Sequence, residues 1–333
     1  MSVDLSIIAF AGGTLVSLGA SFVLVSRLER VGERLGLSEA LLGMLAALAA
    51  DAPEITAALT AVSHHQRNIG TGVVIGSNVF NLAALLGLGA IVAGRIGLHR
   101  KVVVLGGVVA LWVAVMCLLV VSGIVGAPVG LGLVLAALIP FFVVLSGPRS
   151  RRRRFPVPER WAAWLASAVD EEELELVVAI RPQRGRPRDV LEASAALVVV
   201  VAASVTMERG ASALGQHFHV ADVVVGGLVL AAVTSLPNAI AAIYLAGKGR
   251  GAAALSTALN SNTFNALLGF LFPAAIVGLA KSSGEGLLVT GWYLGLTVLT
   301  LGLAYASKGL RRSSGWLIVV CYGAFVISLL ATS

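Results

Sequence analysis

The sequence predicts an all-α polytopic membrane protein, with ten transmembrane helices in two inverted five-helix repeats. Three observations carry that prediction. The 333 residues are 58% hydrophobic and only 12% charged, against roughly 25% charged residues in an ordinary soluble domain. The basic residues are sorted almost entirely into alternate loops. One stretch of the chain also repeats another at a single fixed offset.

Apolar runs of the ~20 residues needed to cross a hydrocarbon core recur at roughly 5–25, 38–63, 69–93, 102–122, 127–146, 190–207, 221–246, 252–279, 287–306 and 315–331. A membrane β-barrel would instead need alternating segments of about 10 residues, and "VVVLGGVVALWVAVMCLLVVSGIVG" does not alternate. The amino-terminal "MSVDLSIIAFAGG" has no basic region ahead of its apolar run, so the first span is expected to be retained rather than cleaved as a signal peptide.

Of 24 Lys and Arg, 21 fall in odd-numbered loops, ten of them between residues 149 and 188; the other side keeps Arg67, Arg209 and Lys281. Basic residues stay on the cytoplasmic side. The split therefore predicts a cell-membrane protein with both termini outside and a cytoplasmic central loop, which an even number of spans satisfies. It also accounts for the net charge of +7 without a nucleic-acid partner.

Residues 43–87 align without gaps to 227–271, an offset of 184. Pro53 falls on Pro237, and "SNVFN" (77–81) on "SNTFN" (261–265). Apolar helices match by chance through Ala, Val and Leu, but not through proline plus a polar string. The copies begin in spans two and seven, five crossings apart, and an odd number of crossings inverts the orientation. In secondary transporters such inverted repeats place the ion site at the midplane, between broken helices. The chain thus divides into a first membrane half (1–146), a loop (147–189) and a second half (190–333). Within the loop, "PERWAAWLASAVDEEELELVVAI" has Trp161, Trp164, Leu165 and Ala168 on one helical face. It reads either as a linker or as a helix lying on the membrane surface among flanking arginines. Its "DEEELE" run has no turn glycine and is not an EF-hand.

Of 17 acidic residues, all but Asp51 and Glu54 are expected in loops or near span ends. An ionisable group near the membrane centre costs at least ~2.5 kcal/mol and marks function. These two are three apart, so on a helix they share a face, and no Lys or Arg is expected within a span to pair with them. Pro53 has no N–H and frees the carbonyl of Ala49, as Pro237 frees that of Val233; such carbonyls are tolerated where they line a polar cavity. One proline alone is a kink. Two at matched positions, each followed 24 residues later by Ser-Asn-x-Phe-Asn, point to a site.

Ser77, Asn78 and Asn81 form a helical polar stripe, repeated by Ser261, Asn262 and Asn265. Such stripes either glue helices together or, here, converge on the breaks. Many oxygens around at most two negative charges suit hard cations, Ca²⁺ or Na⁺, and not Zn²⁺ or Cu⁺. Cys117 and Cys321 lie inside spans and read as core residues. His64 and His65 read as solvated residues at the outer end of span two, with pH sensing the lesser alternative. An intramembrane aspartyl protease would need two facing aspartates, and only Asp51 is available.

"AADAPEITAAL" followed by "GSNVFNLAALLG" resembles the first alpha-repeat of the sodium/calcium (cation/Ca²⁺) exchanger superfamily, and "AVTSLPNAIAAI" followed by "NSNTFNALLG" is similar to the second. The resemblance implies an antiporter, not an enzyme, that exchanges Ca²⁺ for Na⁺ or H⁺ by alternating access, with spans one and six sliding across a rigid bundle. Its ligands are the transported cations and no cofactor. It implies cation ligands at Glu54, Ser77, Asn81, Thr234, Ser235, Ser261 and Asn265, with backbone carbonyls near Ala47 and Ala231. Two departures matter. The second repeat reads Pro237-Asn238 where Pro-Glu is usual, and the first reads Ala50-Asp51 where Thr-Ser is usual. If Asp51 faces Asn238, the site keeps two carboxylates, both from one half. If it turns away, Glu54 alone balances a monovalent cation or half the charge of Ca²⁺. The alternatives are therefore a monovalent cation/proton exchanger, a carrier of Mg²⁺ or Mn²⁺, or a non-transporting relative.

Overall fold

The computed structural model describes residues 2–35, 45, 47–146, 164, 167, 186–278 and 284–332, and these are mostly helical. α1 spans Val3–Arg34, with Asp4 in its first turn and Arg34 in its last, the polarity that complements a helix dipole. A helical turn at 47–50 leads through Asp51 into α2, Ala52–Ser63. α3 (Arg67–Ala93) passes through a wide π-helical stretch at Leu82–Leu88. α4 (Arg100–Val121) and α5 (Ala127–Ser146) follow. Next come α6 (Pro187–His217), α7 (Asp222–Thr234) and α8 (Leu236–Gly247), the last two bent by 49° at their junction. α9 (251–277) again carries a π-helical stretch, Asn265–Leu271. α10 (Gly284–Ala306) and α11 (Arg312–Thr332) end the chain. The starts of α1 and α6, α2 and α8, α3 and α9, and α4 and α10 are each 184 positions apart.

Among the described residues, six helices are long and apolar enough to cross a membrane (α1, α3, α4, α6, α10 and α11), and the bent α7–α8 pair makes a seventh. Helices also occupy the other expected positions, 47–63, 127–146 and 251–277. α3 is central: 83% of its apolar window is buried, against 22% for α1 and for α11. Its small residues permit that enclosure. A Cβ added to Gly72 would meet the backbone nitrogen of Gly227 at 2.9 Å.

α1 and α6 lie against each other and run antiparallel. Ser17 bonds Ser204 at 2.8 Å, and Arg27 pairs with Glu192 at 2.6 Å. Gly13 makes this closeness possible, since a Cβ there would lie 2.7 Å from the backbone nitrogen of Met207.

Two expectations need correction. α1 and α6 run well past 5–25 and 190–207, so the charges at those ends are helical. The all-α expectation misses a short ribbon, β1 (Arg95–Gly97) with β2 (Gly309–Arg311), antiparallel in the register Ile96↔Leu310. Gly309 has φ +130° and lies so close to the Ile96 carbonyl that a side chain has no room. The expected amphipathic segment 158–180 lies outside the described residues except for Trp164 and Ser167; the Ser167 hydroxyl accepts from Lys101 Nζ at 2.5 Å.

Candidate functional site

The two helix breaks have one backbone geometry. Asp51 has φ −81° and ψ −7°, and Ser235, its counterpart 184 positions on, has φ −82° and ψ −4°. The Asp51 N–H still reaches the Ala47 carbonyl at 2.9 Å, as Ser235 N–H reaches Ala231 at 3.2 Å. Proline at the second position of each following helix supplies the common cause, because it withdraws one N–H from the ladder. The freed Ala49 carbonyl is approached by the Ser21 hydroxyl of α1 at 3.5 Å.

Across these breaks the side chains pair crosswise. Ser235 Oγ donates to Glu54 Oε1, and Asn238 Nδ2 donates to Asp51 Oδ1 at 2.6 Å. Under the 184-residue offset each bond is the image of the other, with 51 matching 235 and 54 matching 238. Asp51 therefore faces Asn238. Ser261 Oγ donates to the same Asp51 oxygen and receives Asn238 Nδ2 at 3.1 Å and Asn81 Nδ2 at 3.3 Å. Asn265 Nδ2 approaches Glu54 Oε2 at 3.3 Å. The two carboxyls stand one turn apart at the start of α2, Asp51 before its first residue and Glu54 in its first turn, and both are fully buried.

The polar stripes cross beside this pair. Asn78 Nδ2 donates to the Asn262 carbonyl at 3.0 Å, and Asn262 Nδ2 returns the bond to the Asn78 carbonyl at 3.1 Å. Ser77 Oγ donates to the Ala231 carbonyl at 3.4 Å. Thr234 is the outlier among the expected residues: its hydroxyl turns back to the Leu230 carbonyl of its own helix at 2.8 Å.

Asp51 Oδ2, Asn81 Oδ1 and Asn265 Oδ1 are buried with no donor. Buried polar atoms are otherwise almost always paired, and two bare negative charges one turn apart repel strongly away from water. A cation among these oxygens, or a proton on the carboxyls, removes both penalties. Amides, hydroxyls and carboxyls are hard oxygen donors, the set that alkali and alkaline-earth ions take.

Sequence reasoning missed Ser21 and the buried Glu208 of α6. Glu208 was expected near a span end, yet it is 1% exposed within a helix that continues to His217. Its signal was present, since Ser204, Glu208 and Ser212 fall four residues apart on one face. His64 is exposed, as expected; its Nδ1 lies 2.8 Å from the Thr60 carbonyl.

The family model described as sodium/calcium exchanger protein matches residues 5–147 and 191–331. The chain is 25% identical over 243 residues to the inner membrane protein YrbG of Escherichia coli, covering 72% of this chain and 70% of that one. Solved exchanger structures share the fold. The H⁺/Ca²⁺ exchanger CAX aligns with a TM-score of 0.69 at 16% identity, over 98% of this chain and 87% of that one. The sodium-calcium exchanger NCX_Mj aligns with a TM-score of 0.63 at 20% identity, over 98% and 100%.

Proposed function

The chain belongs to the sodium/calcium exchanger family of integral membrane transporters, and on that premise we propose that it exchanges Ca²⁺ for H⁺ or Na⁺ at the buried carboxyl pair. The observation that carries the reading is the crossed pairing of Glu54 with Ser235 and of Asp51 with Asn238. It keeps two acids at one point although the second repeat has none. Glu54 and Asp51 supply the charge. Ser77, Asn81, Ser235, Asn238, Ser261 and Asn265 supply oxygens and position the acids, and the backbone carbonyls at Ala47 and Ala231, with Thr234, line the margin.

Antiport follows from charge arithmetic. Two carboxylates balance one Ca²⁺ or two monovalent cations, so the ions compete, and the bare pair is too costly to cross the membrane unneutralised. Binding one ion therefore requires releasing the other. Two buried carboxyls one turn apart favour H⁺ as the counter-ion, because neighbouring like charges resist ionising together and so retain a proton. A monovalent or Mg²⁺ cargo would use the same pair and is a different outcome of the same assay.

Ten spans in two inverted halves, both termini outside and 147–189 cytoplasmic, complete the proposal. The antiparallel packing of the matched helices α1 and α6, and the paired helix starts, support the inversion. Alternating access then moves α1 and α6 together against the remaining helices.

The test is flux. Purified protein in liposomes loaded with Ca²⁺ and diluted into an inward H⁺ or Na⁺ gradient should release Ca²⁺ in proportion to the gradient, and Glu54→Gln should abolish it. If no cation moves down either gradient in the unaltered protein, the reading is wrong.

A further inference from the structure

Among the described residues two buried acids stand outside the carboxyl pair, Asp189, which is held by Arg27 and Arg30, and Glu208. Glu208 sits on α6, 1% exposed, and its Oε1 has no hydrogen-bond donor. Ser204 and Ser212 lie one turn to either side on the same face and are buried as well. Ser204 Oγ shares a 2.8 Å bond with Ser17 of α1, and Ser212 Oγ accepts Gln66 Nε2 at 2.5 Å beside the end of α2. One turn beyond Ser17 on α1, Ser21 reaches the Ala49 carbonyl, two residues from Asp51. A column of polar groups thus runs from the His64 end of α2 to the carboxyl pair, with Glu208 as its charged member.

Toward the other end of the same junction the described charges are already paired, Arg27 with Asp189 and Glu192. There a cleft of ≈ 380 Å³ is lined mainly by apolar side chains, among them Leu24, Leu28, Leu45, Leu48 and Leu197, with Thr56 and Ser194. A serine ladder by itself glues helices, but glue does not require a buried carboxyl with an unpaired oxygen. Arg209 and His64 act on it through space without an ion pair or hydrogen bond to it among the described residues, Arg209 Nη2 lying within 3.3 Å of His64 Nε2 instead.

We propose that Glu208, with the hydroxyls of Ser204 and Ser17, is a second cation station, where a small hard cation halts between the outer face and the Asp51–Glu54 pair. The proposal rests on the antiporter reading and its orientation.

The test uses Ser21→Cys, which lies between Glu208 and the pair, in full-length protein whose own thiols are removed by Cys117→Ala and Cys321→Ala. In right-side-out vesicles an impermeant thiosulfonate should label the new thiol from outside, and Ca²⁺ or Na⁺ should slow labelling about tenfold. Glu208→Gln should remove that protection, and Glu208→Asp should keep most of it. In flux assays Glu208→Gln should raise the apparent KM for the outer cation about tenfold while changing the inner one less than about twofold. Absence of labelling from outside, or protection unchanged by Glu208→Gln, overturns the station and leaves the serines as helix glue. Protection that depends on Glu208 in a protein showing no gradient-driven flux would instead keep the station and sink the antiporter reading.

Discussion

The break before α2 and the break before α8 share a backbone and differ in charge. Asp51 and Ser235 have φ and ψ within a few degrees of each other, and Pro53 and Pro237 hold the same place. Yet the first break carries two acids and the second carries a hydroxyl and an amide. Proline sets the same backbone geometry at both breaks. On the proposed reading the charge is needed once, wherever the crossed pairs bring it. Asp51 and Asn238 are bonded at 2.6 Å, so an acid at either residue presents its oxygens to nearly the same point. The family resemblance implies an acid at 238 and a serine at 51. This chain has the acid on the other side of that bond.

The largest expected effect breaks this equivalence. Asp51→Ser leaves Glu54 alone and should weaken divalent affinity about a hundredfold, the scale of one buried charged contact. Adding Asn238→Glu returns an acid across the same bond and should recover affinity to within about tenfold of the unaltered protein. The Ca²⁺ dependence of flux, or titration calorimetry in detergent, reads both. If the double variant is no better than Asp51→Ser, the acid is tied to α2 and the halves are not interchangeable.

A smaller effect sharpens the comparison at the matched serines. Ser261 joins Asp51, Asn238 and Asn81, whereas Ser77 makes one long bond to the Ala231 carbonyl at 3.4 Å. Ser261→Ala should therefore lower apparent Ca²⁺ affinity about tenfold and Ser77→Ala about two- to threefold, since the first removes several bonds to a charged network and the second one weak neutral bond. Equal losses would mean that both hydroxyls act alike once a cation is held.

Much of this was legible in the sequence, for physical reasons. Hydropathy locates helices because lipid demands long apolar runs, and Pro53 and Pro237 mark the breaks because proline removes a donor wherever it sits. The spacing of Asp51 and Glu54 showed that they share a face. It did not show what they face, because that depends on how α8 and α9 cross α2. Glu208 escaped because Glu208-Arg209 reads as the end of a span, whereas the helix continues for two more turns to His217. The ribbon joining β1 to β2 escaped because three-residue strands carry no periodicity to detect.

The smallest effect on transport is expected where the two repeats exchange matched backbone bonds. Asn78 and Asn262 each donate to the other's carbonyl, at 3.0 and 3.1 Å, and hold α3 against α9 beside the carboxyl pair. Their amide oxygens differ: Asn262 Oδ1 accepts Asn81 Nδ2 at 3.0 Å, whereas Asn78 Oδ1 has no donor. Asn78→Ala removes one donor and leaves one buried carbonyl without it, which should destabilise the protein by about 1–3 kcal/mol. Asn262→Ala also strips the Asn81 amide of its acceptor, so its loss should be larger by about 0.5–1.5 kcal/mol, the net worth of one more bond. Thermal unfolding in detergent measures both, and flux at saturating Ca²⁺ should change less than about twofold in Asn78→Ala. Equal destabilisation would mean that the Asn81–Asn262 bond contributes nothing, and the asymmetry of this molecule would then lie in its charge and not in its scaffold.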